Sequence, residues 1–200
     1  MNMLETYNRQ LFLAINAGPD TPLSVIHLTA FLADDAIFLL PVLLAGLWLW
    51  GRLPKRELVV RASCVTLLAL GLNQLIILLW PHPRPFMIGL GHTWLAHAAE
   101  SSFPSDHTTV FAALAVTWLM GELASLGIVI LGVGLGVGWA RVYLGVHFPL
   151  DIVGGLMVAG CSYALLIPAW RRFGPTLTLR VQMLYRHLFA LPIGAGWLKA

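Results

Sequence analysis

The chain has 200 residues, 58% of them hydrophobic and only 10% charged, with a mean hydropathy of +0.81 and a formal net charge of +3. Soluble domains carry about a quarter charged residues, so the composition excludes an ordinary soluble domain and points to an integral membrane protein. A pI of about 9.2 comes without any aromatic–basic pattern, which argues against a nucleic-acid partner.

The N-terminus MNMLETYNRQ places Glu5 ahead of Arg9, and no compact apolar core with a small-residue cleavage site follows, so no secretory signal peptide is expected. The first membrane span is expected around 36–51, AIFLLPVLLAGLWLWG, just after the pair Asp34 and Asp35. Residues 23–33 either lengthen it or lie at the interface as a separate half-helix. Four further apolar runs follow at 58–80, 106–121, 123–140 and 150–170. A crossing helix needs about 20 apolar residues, and 106–121 is short enough that an extra turn at either end is expected. Asn73 and Gln74, inside the second span, read as helix contacts. The tail YRHLFALPIGAGWLKA mixes apolar and basic residues and is expected on the inner leaflet.

Neither a linker nor an internal repeat divides the chain, so residues 1–200 form one all-α domain, a polytopic membrane helical bundle of five spans, or six if 23–33 stands alone. Cys64 and Cys161 lie inside apolar runs and act as small hydrophobes instead of a disulfide framework.

Basic residues sort by side. Arg52, Lys55, Arg56 and Arg61, with Arg171, Arg172, Arg180, Arg186 and Lys199, make nine of the twelve Lys and Arg. With five spans they share one face, which the positive-inside rule makes cytoplasmic. The other face holds Arg84 and Arg141 with His82, His92, His97, His107 and His147. Ionisable groups at membrane depth are functional candidates by default.

Three clusters stand out there. In WPHPRPF, residues 80–86, the prolines end a helix and stiffen the turn that carries Arg84, whose planar guanidinium suits phosphate oxygens. Snorkelling to headgroups is an equal reading of that cluster alone. In SSFPSDH, residues 101–107, Ser105 or Asp106 caps a helix whose free N–H groups suit an anion, with His107 in its first turn. A simple cap beside a surface histidine explains that stretch as well. In ARVYLGVHFPLD, residues 140–151, Asp151 follows His147 by four and can fix its tautomer, leaving the other ring nitrogen free to attack. An Arg141–Asp151 salt bridge would explain two of these residues but not the histidine. Together the clusters supply two arginines, a helix start, an acid and an oriented nucleophile: the parts of phosphoryl transfer.

These motifs resemble the type 2 phosphatidic-acid phosphatase superfamily, whose pattern runs Lys-x6-Arg-Pro, Pro-Ser-Gly-His, Ser-Arg-x5-His-x3-Asp. Arg84 and Pro85 match the first part, Pro104, Ser105 and His107 the second, and Arg141, His147 and Asp151 the third. The chain departs at Ile77 for the Lys, Asp106 for the Gly and Ala140 for the Ser. The run RPF…SFPSDH…ARVYLGVHFPLD in a short chain is similar to the bacterial undecaprenyl-diphosphate phosphatase branch.

That resemblance implies a double displacement on a polyprenyl diphosphate lipid. His147 takes the terminal phosphoryl group, Asp151 orients it, and Arg84, Arg141 and Ser105 hold the oxygens. His107 protonates the departing lipid phosphate and then activates water. Asp106, His82 and His97 are accessory candidates, the two histidines as donors in place of the absent Lys. The resemblance calls for no cofactor and no metal, and for membrane lipids as the only other partners. It implies a bacterial cytoplasmic membrane, an extracytoplasmic site, a cytoplasmic C-terminus, and recycling of the carrier lipid for cell-wall synthesis. Rival readings are the same chemistry on phosphatidylglycerol phosphate or a lipid A phosphate, a phosphotransferase, and, from another class, a transporter. A transporter needs ionisable groups deep in several spans, where this sequence offers mainly Asn73 and Gln74.

Overall fold

The computed structural model describes residues 3–199, and among them every regular element is helical. Helix α1 (Met3–Ile15) exposes Met3, Tyr7, Leu11 and Leu13 and buries Asn8 and Phe12. The Phe12 ring meets Phe148 edge-on at 5.4 Å. An amphipathic helix of this kind suits a membrane interface.

Helix α2 (Leu23–Ala30), a π-helical turn (Phe31–Asp35), a 3-10 turn (Ala36–Phe38) and α3 (Leu39–Trp50) run on as one 28-residue apolar segment, Leu23–Trp50. Residues 23–33 therefore lengthen the first span and make no sixth. Helix α4 (Leu53–Leu79) starts with Pro54 in its first turn, where the missing N–H costs nothing, and stops before the proline-rich WPHPRPF. Helices α5 (Asp106–Leu119), α6 (Ala124–Tyr143), α7 (Pro149–Leu188) and the short α8 (Ala190–Gly194) complete the chain.

Four segments are long and apolar enough to cross a membrane: Leu23–Trp50, α4, α6 and α7. The expected extra turn on 106–121 does not form. At 14 residues α5 is about 21 Å long, short of a hydrocarbon core of about 30 Å. It tolerates this because α4, α6 and α7 enclose it. Phe111, Ala113, Leu114, Ala115 and Trp118 are all but fully buried. The third span of the sequence reading is thus the axis of the bundle, wrapped by protein.

Helix α7 outruns its expected end near 170 by eighteen residues. Pro168 and Pro175 lie inside it, and each removes one backbone hydrogen bond. Packing overrides them. Trp170, Gly174, Thr178, Gln182 and Tyr185 form a buried stripe at helical spacing, and Trp170 Nε1 donates to Glu57 of α4 at 3.2 Å. The tail is tied to the basic end of the bundle, with Leu191 and Trp197 left exposed. It folds back so that Lys199 N donates to Leu49 O at 3.2 Å, while its own carbonyl accepts from Arg56 at 2.7 Å and Tyr185 at 3.0 Å.

Candidate active site

The C-terminal ends of α4 and α6 and the N-terminal ends of α5 and α7 meet at one end of the bundle, around a cavity of 330 Å³. Arg84, His97, Asp106, His107, Arg141 and His147 line it, with Gln74, Ile77 and Glu100.

His147 sits on the turn between α6 and α7. Gly145 makes that turn with φ +86° and passes against the His92 carbonyl, so neither the conformation nor the space admits a side chain. The N-terminal segment braces it. Asn16 Nδ2 donates to the carbonyls of His92 and Tyr143 at 2.9 and 3.0 Å, and Trp94 N donates to Leu144 O at 2.9 Å. Helix α7 then opens with Phe148 as N-cap, Pro149 in the first turn, and Asp151 accepting from Phe148 N at 2.7 Å.

Asp151 has a second task. The same Oδ2 lies 3.1 Å from His147 Nδ1 and accepts from Ser102 Oγ. With the carboxylate as acceptor, His147 carries its proton on Nδ1 and turns the Nε2 lone pair away from Asp151. Arg84 Nη1 meets that lone pair at 3.2 Å and also donates to Val146 O at 2.9 Å, while Nη2 donates to Ser101 O at 3.2 Å. Burial pushes the His147 imidazole down to about 4; the Asp151 hydrogen bond opposes this, and the nearby Arg141 and Arg84 add to it. The ring is therefore neutral at pH 7 and nucleophilic. Arg84, lowered to about 10 by burial and by Arg141, keeps its charge.

Arg141, 1% exposed, closes the opposite wall. Its Nη1 donates to Asp34 Oδ1 at 2.7 Å and to Ala33 O at 3.2 Å, and faces His107 Nε2 at 3.4 Å. The Nε atoms of both Arg84 and Arg141 are buried with no acceptor among the described residues. Two buried guanidiniums with unanswered donors beside a cavity are built for an anion.

The other expected residues separate. Asp106 is on the wall, held by Asn73 Nδ2 at 2.7 Å. Asn73 also reaches Thr109 Oγ1 at 3.0 Å, so this amide secures the pocket floor besides joining helices. Ser105 is fully buried and absent from the cavity wall; its hydroxyl accepts from Thr108 N as the α5 N-cap. The cap read from the sequence describes its side chain, which is taken up at the start of α5. The N–H groups of Asp106 and His107 remain at the helix start.

His82 stands outside the cavity, with Nε2 3.8 Å from Glu5 and its ring near Trp80. His97 is on the wall, its ring 6.4 Å from that of His147. Its Nδ1 faces Ala98 O at 3.2 Å, and burial together with Arg84 lowers its pKa. Ile77, where the family pattern has a lysine, is an apolar wall. The Arg141–Asp151 salt bridge weighed from sequence does not form; Asp34 takes the arginine and His147 the aspartate. Ser102 and Asp34 were not singled out from sequence. Ser102 had one signal, its place in the hydroxyl-rich SSFPSDH run, and Asp34 had only its cost beside a span.

Comparison with known proteins agrees with this geometry. Residues 58–174 match the PAP2 superfamily. The chain is 41% identical to "Putative undecaprenyl-diphosphatase YbjG" of Escherichia coli K12, over 98% of this chain and 100% of that protein. It is 34% identical to "Undecaprenyl-diphosphatase BcrC" of Bacillus subtilis 168, over 76% of this chain and 78% of the relative. Among solved structures, Aquifex aeolicus LpxE superimposes with a TM-score of 0.64 at 23% identity, covering 80% of this chain and 93% of that one, a likeness of fold. Family match and full-length similarity together make this multi-pass membrane protein a member of the PAP2 superfamily.

Proposed function

We propose that the protein is a phosphatase of the bacterial cytoplasmic membrane that converts undecaprenyl diphosphate to undecaprenyl phosphate, with its cavity on the extracytoplasmic face and its basic end in the cytoplasm. The observation that carries the reading is His147: Nδ1 tied to Asp151, Nε2 aimed at a cavity walled by two arginines. Similarity along its full length to a protein named for that substrate supports the choice of lipid. The basic collar at the α4 and α7 ends supports the orientation.

The terminal phosphoryl group lies between Arg84 and Arg141, takes up the donors they have free, and draws the Arg84 N–H away from Nε2, which releases its lone pair. The Asp106 and His107 N–H groups at the start of α5 add to the same field. Nε2 attacks the terminal phosphorus, and the bond to the bridging oxygen breaks. His107 passes a proton to that oxygen as the lipid monophosphate leaves. Arg141 Nη1 points a donor at His107 Nε2, so His107 gains its proton only when an anion draws the arginine's charge. Water, deprotonated by His107, then attacks the phosphohistidine. Inorganic phosphate departs and His147 is restored. Ser102 and Asp151 keep the imidazole in one tautomer through both steps.

The test is phosphate release by the detergent-purified protein from undecaprenyl diphosphate, against phosphatidylglycerol phosphate and a lipid A phosphate at equal surface concentration. The reading expects the diphosphate to have the highest kcat/KM. A higher kcat/KM on either monophosphate would overturn the substrate and leave the chemistry.

A further inference from the structure

We propose that Asp34 is a positioning residue for Arg141, so that the first span sets the angle at which one of the two phosphate-holding guanidiniums is presented. The inference rests on the phosphoryl-transfer reading and extends the site beyond residues 58–174, the part matched by the family.

The local backbone is the first observation. Phe31–Asp35 is a π-helical turn inside an otherwise regular span. Such turns are rare and cluster at functional sites, because they re-aim side chains that a regular helix would point elsewhere. Here the turn delivers two acceptors, the Ala33 carbonyl and the Asp34 carboxylate, to one nitrogen, Arg141 Nη1.

Packing is the second. Ala33 and Ala140 are fully buried in one cluster with Ala17, Ile26 and Leu144. Ala140 stands where the family pattern has a serine. Small residues in this cluster let the first span lie close to α6, which brings Asp34 within reach of Arg141.

The third is the asymmetry of the pair. Arg141 is 1% exposed while Asp34 is 46% exposed. The contact engages Nη1 and leaves Nε, buried and without an acceptor, for a ligand oxygen. Asp34 thus fixes the fork from behind while leaving its other donors to the phosphate. Orientation, not charge, is its contribution, since a carboxylate near a bound phosphate repels it.

This separates the variants. Asp34→Asn keeps an acceptor for Nη1 and drops the charge; Asp34→Ala drops both. Misplacing a positioning group by about 1 Å costs on the order of 10²-fold. Asp34→Ala is therefore expected to lower kcat about 10- to 100-fold. Asp34→Asn is expected to stay within about threefold of wild type, with equal or tighter inhibition by inorganic phosphate. In an Arg141→Lys background, Asp34→Ala is expected to cost little more, because coupled residues are not additive.

Anion binding is read separately as protection against thermal unfolding by inorganic phosphate, expected in wild type and Asp34→Asn and lost in Asp34→Ala. Equal kcat in all three proteins, parallel losses in Asn and Ala, or full additivity with Arg141→Lys would each overturn the proposal. If wild type cleaves no lipid phosphate, the functional reading fails, and Asp34 is judged on phosphate protection alone: the same protection, or none, in all three proteins sinks it.

Discussion

Buried arginines lie at opposite ends of this bundle, Arg56 at one and Arg84 with Arg141 at the other, and the contrast between them separates architecture from chemistry. Arg56 and Ile77, both on α4, are about 30 Å apart at 1.5 Å per residue. At the basic end, Arg56 has no exposed surface. Its Nε donates to Trp48 O at 2.9 Å, Nη2 to Lys199 O at 2.7 Å, and its guanidinium carbon lies 5.5 Å from the Trp48 ring and 4.9 Å from the Tyr185 ring. With its amide oxygen turned inward, Gln182 accepts from Arg56 Nη1 at 3.1 Å. Every nitrogen of Arg56 is answered by the protein. At the cavity, Arg84 and Arg141 each keep a buried Nε without an acceptor. A buried charge is tolerated when its hydrogen bonds are complete. Open donors on two buried arginines beside a cavity suit an anion.

Breaking the chemical end at its nucleophile has the largest expected effect. His147→Ala should lower phosphate release on the order of 10⁴-fold, the scale on which loss of a nucleophile or its correct tautomer is felt, while the melting temperature stays near wild type. Comparing initial rates on matched, folded preparations checks this. Arg84→Lys comes next. It keeps a charge but loses the fork that reaches Val146, Ser101 and His147 together, and should cost about 10²- to 10³-fold in kcat, read from steady-state kinetics.

The pH profile sharpens the same end more gently. Burial holds His147 near 4 against an ordinary 6.5, and protonation removes the lone pair. Lowering the pH therefore abolishes attack only below the depressed value. On this account kcat/KM stays level from pH 7 to about 5 and falls toward 4. A fall centred near 6.5 would show an ordinary imidazole.

Arg56→Met is the mirror experiment. It strands the Trp48 carbonyl, at about 1–3 kcal/mol for a buried group left unpaired, and leaves Lys199 O with Tyr185 alone, so the melting temperature should drop. Activity per folded molecule should change least of all, by less than about twofold.

Much of the active end was legible in the sequence because its chemistry sits in short runs. His147 and Asp151 are four residues apart on one helix start, and Pro149 fits the first turn between them. Arg84, His107 and Arg141 close the cavity from separate motifs of the same pattern. What stayed hidden depends on distance along the chain. Ser102 meets Asp151 across 49 residues and Asp34 meets Arg141 across 107, and no local spacing encodes such pairs. Ser105 and His82 both sit in suggestive motifs; the structure places the first as the α5 cap, as its sequence position suggests, and turns the second toward α1. In α7 the apolar run ends near 170, yet the helix continues through Pro168 and Pro175 because a buried stripe packs it against α4.

The central claim is that the phosphoryl group passes through His147. The most direct measurement is the stereochemical course at phosphorus, using a lipid diphosphate whose terminal group is made chiral with sulfur and ¹⁸O and is cleaved in ¹⁷O-labelled water. Two in-line displacements, first by His147 and then by water, predict net retention. Net inversion would mean that water attacks the lipid directly, and would contradict the account.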